Sequence, residues 1–226
     1  MRVKIKRDRE FEEFKLPFKS TTLLRALYHI KSYQDQTLTF DANCRSGVCG
    51  ACAVRVNGKE VLACSYKLRD GDRVEPLRYH KVLRDLKVTK SNIAPNLKRA
   101  KAWISSFRDE KIEDADIVKL EKESDCILCS SCYSACPVFE VNSNFLAPFA
   151  FTRNYRYLLD KREENKKEKI DSIQQNGVWD CTLCGACSEA CPQNIDIKRD
   201  ILMLRGESSQ FGYFDPNFNS MSFGSF

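Results

Sequence analysis

The stretch CILCSSCYSACP at residues 126–137 returns in outline as CTLCGACSEACP at residues 181–192. Each run sets four cysteines at gaps of two, two and three, with a proline directly after the fourth. A third, differently spaced group opens as CRSGVCGAC at residues 44–52 and ends at Cys64. The chain's 12 cysteines thus fall into three groups of four: Cys44, Cys49, Cys52 and Cys64; Cys126, Cys129, Cys132 and Cys136; Cys181, Cys184, Cys187 and Cys191. Sixty-one cysteine-free residues separate the first group from the second, which places an expected domain boundary near residue 95.

The surrounding composition says what kind of chain carries these groups. Its 226 residues are 42% hydrophobic and 30% charged, enough for one large or two small packed domains. No run of 18 or more apolar residues appears, and the N-terminal MRVKIKRDRE lacks the apolar stretch of a secretory signal. Nothing therefore argues for an oxidising compartment, and dense cysteines in a reducing one hold metal more often than they form disulfides. The net charge of +6 is spread among acidic residues, apart from Lys98, Arg99 and Lys101, so no nucleic-acid partner is expected.

Two domains and a tail are expected. Over residues 1–95, MRVKIKR and the segment around Phe11 and Phe14 read as strands, and TTLLRALYHIKSY as a helix behind a Ser/Thr cap. In CAVRVNGKEVLAC, two alternating runs flank Asn57-Gly58, a pair that tolerates the positive φ angles of a tight hairpin, with Cys52 and Cys64 at its ends. A strand at RVEPL completes a small mixed sheet. Residues 96–205 read as mostly helical: NLKRAKAWISSF, EDADIVKLEKES and segments around each later group, interrupted at Pro137 and Pro192. The run KREENKKEK at residues 161–169 reads as a solvated helical face. The aromatic, Gly- and Ser-rich stretch 206–226 has no period and reads as a tail.

Softness alone does not choose among zinc, copper(I) and iron-sulfur clusters, so spacing must. C-x4-C-x2-C is the opening of a plant-type [2Fe-2S] site, and Gly47 and Gly50 let backbone N–H groups wrap its sulfurs. C-x2-C-x2-C-x3-C-P is the run of two-cluster bacterial ferredoxins, in which the fourth cysteine of each run serves the other cluster. Cys126, Cys129, Cys132 and Cys191 are then expected to hold one [4Fe-4S] cluster, and Cys181, Cys184, Cys187 and Cys136 a second. Three zinc ions are the competing occupants, but zinc ribbons show two CxxC pairs rather than equal four-cysteine runs. His29 and His80 stand alone and read as surface or satisfied residues, and no GxGxxG, GxxxxGK[ST] or GxSxG is present. The residues describe a conductor of electrons without catalytic groups of its own.

Three stretches, CRSGVCGACAVRVNGKEVLAC, DCILCSSCYSACPVF and FLAPFAFTRNYRYLLDKRE, together resemble the iron-sulfur subunit of succinate dehydrogenases and fumarate reductases over roughly residues 1–205. The first stretch alone also resembles small subunits of molybdenum hydroxylases, which lack the later runs. The family resemblance implies an α+β protein: an N-terminal β-grasp plant-type ferredoxin domain followed by an all-α, bacterial-ferredoxin-like domain. It implies a relay of single electrons between FAD on a flavoprotein partner and a membrane-side quinone- or thiol-linked partner, in the order first group's cluster, Cys126 cluster, last cluster. Such a subunit lies peripherally on the cytoplasmic face of the membrane, with the periplasmic face, by co-export, as the alternative.

Two departures from common members matter. In those the position of Cys184 is not cysteine and the last cluster is [3Fe-4S]; Cys184 here implies a [4Fe-4S] centre. Their Ser and Trp after the second run and His in the third match Val138, Val141 and Thr182 here. The implied membrane-side partner is therefore the cysteine-rich type and not a haem-bearing anchor. A relay for another flavin-dependent dehydrogenase, a thiol-linked fumarate reductase and a free-standing ferredoxin-like carrier are the alternatives.

Overall fold

A computed structural model describes residues 1–216. The chain divides into two compact units: residues 1–93 with 127–136 and 189–194, and residues 94–126 with 137–188 and 195 onward.

The first unit is built on a five-stranded mixed sheet. Strands β1 (Arg2–Arg7) and β2 (Glu10–Lys15) form an antiparallel hairpin, turning through Asp8 at φ 51, in the register Val3↔Phe14 and Ile5↔Glu12. Alternation puts Val3, Ile5 and Phe14 on the buried face. Helix α1 (Leu23–Tyr33) starts where Thr22 accepts the Arg25 backbone N–H at 3.4 Å, and its Leu23, Leu24, Ala26, Leu27 and Ile30 pack into that core. Strands β3 (Ala53–Val56) and β4 (Lys59–Leu62) are joined through Asn57 (φ 50) and Gly58 (φ 84), the left-handed pair that a two-residue hairpin needs. Strand β5 (Asp72–Glu75) runs parallel to β1 and antiparallel to β3, which gives the order β2-β1-β5-β3-β4, the β-grasp arrangement. A small ribbon, β6 (Val82–Arg84) with β7 (Lys87–Val88), follows. It is tied in by Asp85, whose carboxylate accepts from Arg7 Nε and the Thr39 backbone N–H, both at 2.8 Å.

Helices dominate from residue 93 onward: α2 (Ile93–Arg99), α3 (Asp114–Ser124), α4 (Ser131–Ala135), α5 (Pro148–Leu159), α6 (Lys166–Asp171), α7 (Ala186–Glu189) and α8 (Ile197–Gln210). In the second unit α5 is the central element, packed against α3 and α8, and it buries Phe149, Ala150, Phe151, Thr152, Asn154, Tyr155 and Leu158. The α3 start carries a reciprocal cap between Glu113 and Asp116.

Three sequence expectations need correction. NLKRAKAWISSF is helical only to Arg99, because Lys101 turns left-handed (φ 49) and Ser105 is drawn away to the Glu163 carboxylate, which accepts its backbone N–H at 2.8 Å. KREENKKEK is not a uniformly solvated helix: only its end is helical, and Lys169 is buried, paired with buried Glu163 at 2.8 Å. Lys169 also donates to Ser105 Oγ at 2.9 Å and to the Trp103 carbonyl. At the tail, α8 continues to Gln210, and the Tyr213 hydroxyl donates to Asp171 at 2.8 Å; the rest of the tail, from 217, lies outside the described residues.

Candidate metal centres

The first cysteine loop turns back on itself through left-handed residues at Arg45 (φ 64), Gly47 (φ 80) and Gly50 (φ 68). Those turns aim backbone donors at sulfur: the Ser46 N–H reaches Cys44 Sγ at 3.5 Å. That N–H foremost, then the Cys49 thiol and the Val48 N–H, holds the Cys44 thiol down at about 6. At the hairpin ends, burial foremost pushes the Cys52 thiol up to about 11, against a bond from the Cys64 backbone N–H. Within this group Cys44 interacts with Cys49, and Cys52 with Cys64 and Cys49. The Cys64 Sγ also lies 3.6 Å from Ser65 Oγ.

The two later runs share one backbone path. In the first, Leu128 (φ 52) and Ser130 (φ 69) flank Cys129; in the second, Leu183 (φ 56) and Gly185 (φ 85) flank Cys184. Left-handed non-glycine residues are uncommon, so their recurrence at matched positions marks a common loop. The loop wraps N–H groups inward, as where Leu183 N–H donates to Cys181 Sγ at 3.4 Å, and each ends in a helix starting before the third cysteine, at Ser131 and at Ala186. Cys129 Sγ lies 3.4 Å from Ser131 Oγ. Burial foremost raises the Cys181 thiol above its ordinary value. Cys129, Cys132, Cys136, Cys187 and Cys52 are buried and Cys184 is exposed. Cys191 belongs to the compact unit that holds Cys129, Cys132 and Cys136, whereas Cys126, Cys181, Cys184 and Cys187 belong to the other.

Contacts around these loops involve Gly50 and Gly47, which the sequence marks, and Lys90, Gln193, Ser134 and Arg205, which it does not. A Cβ built on Gly50 would lie 2.6 Å from Cys129 Cβ, so only glycine fits where the first loop meets the second run. Lys90 donates from Nζ to the Gly50 carbonyl at 2.9 Å. Burial draws the Lys90 ammonium below its ordinary value, while Cys129, Asp41, Cys52 and Cys49 pull it back. Gln193 donates to the Gly47 carbonyl at 3.0 Å, and Ser134, between Glu60 (2.8 Å) and the Arg78 backbone N–H (2.8 Å), ties α4 to the sheet. Arg205 Nη2 donates to the Cys181 carbonyl at 2.7 Å and Arg205 Nε to the Val178 carbonyl at 2.9 Å, bracing the third run.

His29 lies edge-on to Phe18 and tilted against Tyr33, at 5.1 and 4.9 Å between ring centroids. His80 departs from its expected role as a surface or satisfied residue. Its Nε2 is buried without a hydrogen-bond partner, its ring lies 4.7 Å from Tyr133, and burial foremost, then Lys90, draws it down to about 4.

No three His, Cys, Asp or Glu side chains among the described residues are close enough to hold one metal ion, so the fit to a metal group rests on the donor chemistry. That chemistry suits iron-sulfur clusters: soft sulfur donors in tight loops, with backbone N–H groups aimed at them and buried thiols that need a cationic centre to ionise. No helix among the described residues is long and apolar enough to cross a membrane.

The chain matches the 2Fe-2S iron-sulfur cluster binding domain over residues 1–95 and the 4Fe-4S dicluster domain over residues 122–195. It is 38% identical over 208 residues to the fumarate reductase iron-sulfur subunit of Escherichia coli O6:H1, covering 87% of this chain and 85% of the relative. It is also 38% identical over 200 residues to the 8-methylmenaquinol:fumarate reductase iron-sulfur subunit of Wolinella succinogenes, covering 81% of this chain and 63% of that longer relative. A chain of the Mycobacterium smegmatis Sdh1 complex in the apo form has the same fold, with a TM-score of 0.81 at 21% identity over 95% of this chain and 98% of that one. The chain belongs to the family of fumarate reductase and succinate dehydrogenase iron-sulfur subunits.

Proposed function

We propose that this chain is the electron relay of a succinate- or fumarate-linked oxidoreductase complex whose substrate chemistry takes place on FAD in a flavoprotein partner. Cys44, Cys49, Cys52 and Cys64 hold a [2Fe-2S] cluster; Cys126, Cys129, Cys132 and Cys191 hold a [4Fe-4S] cluster; Cys136, Cys181, Cys184 and Cys187 hold a second. When bound, these groups accept and pass on single electrons. The chain's own part is to fix them: left-handed turns present backbone N–H groups to the sulfurs, and buried side chains exclude water. The observation that supports this reading best is the pair of matched left-handed residues around Cys129 and Cys184, one loop design used twice.

The exit is toward a cysteine-rich membrane-side subunit, linked to quinone or thiol, with the complex on the cytoplasmic face. Cys184 is exposed, and Val138, Val141 and Thr182 stand where common members carry the Ser, Trp and His of a quinone pocket. Purification of the native complex tests this. A flavoprotein and a cysteine-rich subunit should co-purify; a haem b anchor would refute the exit, and a lone monomer on size exclusion would refute the complex.

A further inference from the structure

Lys90 is a half-buried cation beside the first cysteine loop. It sits just beyond β7, and its Nζ donates to the carbonyl of Gly50 at 2.9 Å. Gly50 lies between Cys49 and Cys52 and in turn abuts Cys129, since a Cβ there would meet Cys129 Cβ at 2.6 Å and Cα at 2.8 Å. The groups that favour the charged ammonium are Cys129, Asp41, Cys52 and Cys49, from both cysteine groups. Its other titratable neighbour is His80, which stays neutral because burial and Lys90 itself oppose its protonation. Lys90 thus holds a positive charge on a carbonyl of the first loop, at the glycine that abuts Cys129 and within electrostatic reach of cysteines of both groups.

We propose that Lys90 is a positioning and potential-setting residue for the first two centres of the relay: it fixes the Gly50 carbonyl and raises the reduction potentials of the groups held at Cys49/Cys52 and at Cys129. The physical reason is that adding an electron to either centre adds negative charge beside a fixed positive one. In a partly desolvated setting that interaction is screened less than at the surface. Because it is within electrostatic reach of both centres, Lys90 lifts them together and keeps the step between them shallow. A neutral residue would leave both lower. This inference rests on the proposed ligand sets.

The test is a mediator titration of the full native complex followed by low-temperature electron paramagnetic resonance, with wild type, Lys90→Met, Lys90→Gln and Lys90→Arg. Lys90→Gln retains an N–H donor without the charge. Both neutral variants should lower the equilibrium constant for reduction of the [2Fe-2S] and first [4Fe-4S] signals at least tenfold, about 59 mV downward for one electron. Lys90→Arg should stay within about threefold of wild type. Neutral variants that lose their signals while the Arg variant keeps them also support the charge role. Intact signals with unmoved potentials in Lys90→Gln would overturn the role of Lys90 and leave the cluster reading standing, as would an Arg variant as defective as the Met one. Wild type without either signal would overturn both.

Discussion

Replacing Gly50 by alanine tests the close approach of the first cysteine loop to the second run. The new Cβ would lie 2.6 Å from Cys129 Cβ, 2.8 Å from its Cα and 3.2 Å from its backbone nitrogen. Carbon atoms rest at about 3.5–4.0 Å, so the loop must retreat by about 1 Å, and the obstacle is backbone that cannot rotate away. Two costs add. The left-handed φ of +68 costs an L residue about 1–2 kcal/mol, and forced overpacking costs about 1–3 kcal/mol more. Gly71 provides the control, since its φ is also left-handed (+81) and an added methyl group there would meet nothing within 4 Å. Gly71→Ala should therefore show the backbone cost alone. Thermal loss of the visible cluster absorbance in the complex measures both. A chain of this size loses roughly 2–4 °C per kcal/mol, so Gly50→Ala should fall below Gly71→Ala by roughly 2–12 °C. It should also weaken magnetic coupling between the two nearest centres. Equal losses in the two variants, with unchanged coupling, would refute the packing argument.

Cys184→Ser should convert the last centre to a form with the oxidised [3Fe-4S] resonance while leaving the other two signals in place; an unchanged [4Fe-4S] spectrum would show that Cys184 is not a ligand. Lys169→Met should destabilise the second unit by about 3–5 kcal/mol in denaturant unfolding, because buried Glu163 loses its 2.8 Å partner, and the double change Lys169→Met with Glu163→Leu should recover most of that loss. The Asp200 carboxyl, bonded by Thr152 at 2.6 Å, is raised to about 7 by burial foremost, with Glu123 adding. A carboxyl whose folded value lies above its unfolded one contributes stability that is present below about pH 4 and lost as pH rises toward 7. Asp200→Asn should therefore stabilise the protein by about 1–3 kcal/mol at pH 8 and by little at pH 4, and equal effects at both would argue against the buried acid.

What was legible in the sequence was local. The Asn57-Gly58 hairpin, the Thr22 cap of α1 and the strands β1 and β2 follow from neighbouring residues, and each forms as expected. The likeness of the two later runs was legible as spacing, and the backbone repeats it through Leu128 and Ser130, Leu183 and Gly185. Long-range partners were not legible. Positive and negative charges are mixed throughout residues 161–169, so nothing marks Lys169 as the one that turns inward to Glu163. The end of α2 depends on Ser105 binding a carboxylate 58 residues away. Lys90 is one of many lysines, and only the return of β7 beside the first cysteine loop distinguishes it. Arg205 carries no motif either, yet it braces the carbonyl of Cys181.

The relay itself is best tested by a combined Mössbauer and electron paramagnetic resonance spectrum of the anaerobically purified, dithionite-reduced complex. One [2Fe-2S] and two [4Fe-4S] centres per chain are expected, with magnetic coupling between the first two. A zinc-loaded, spectroscopically silent chain, or one whose last centre is only [3Fe-4S] before any exposure to air, would contradict the three-cluster relay.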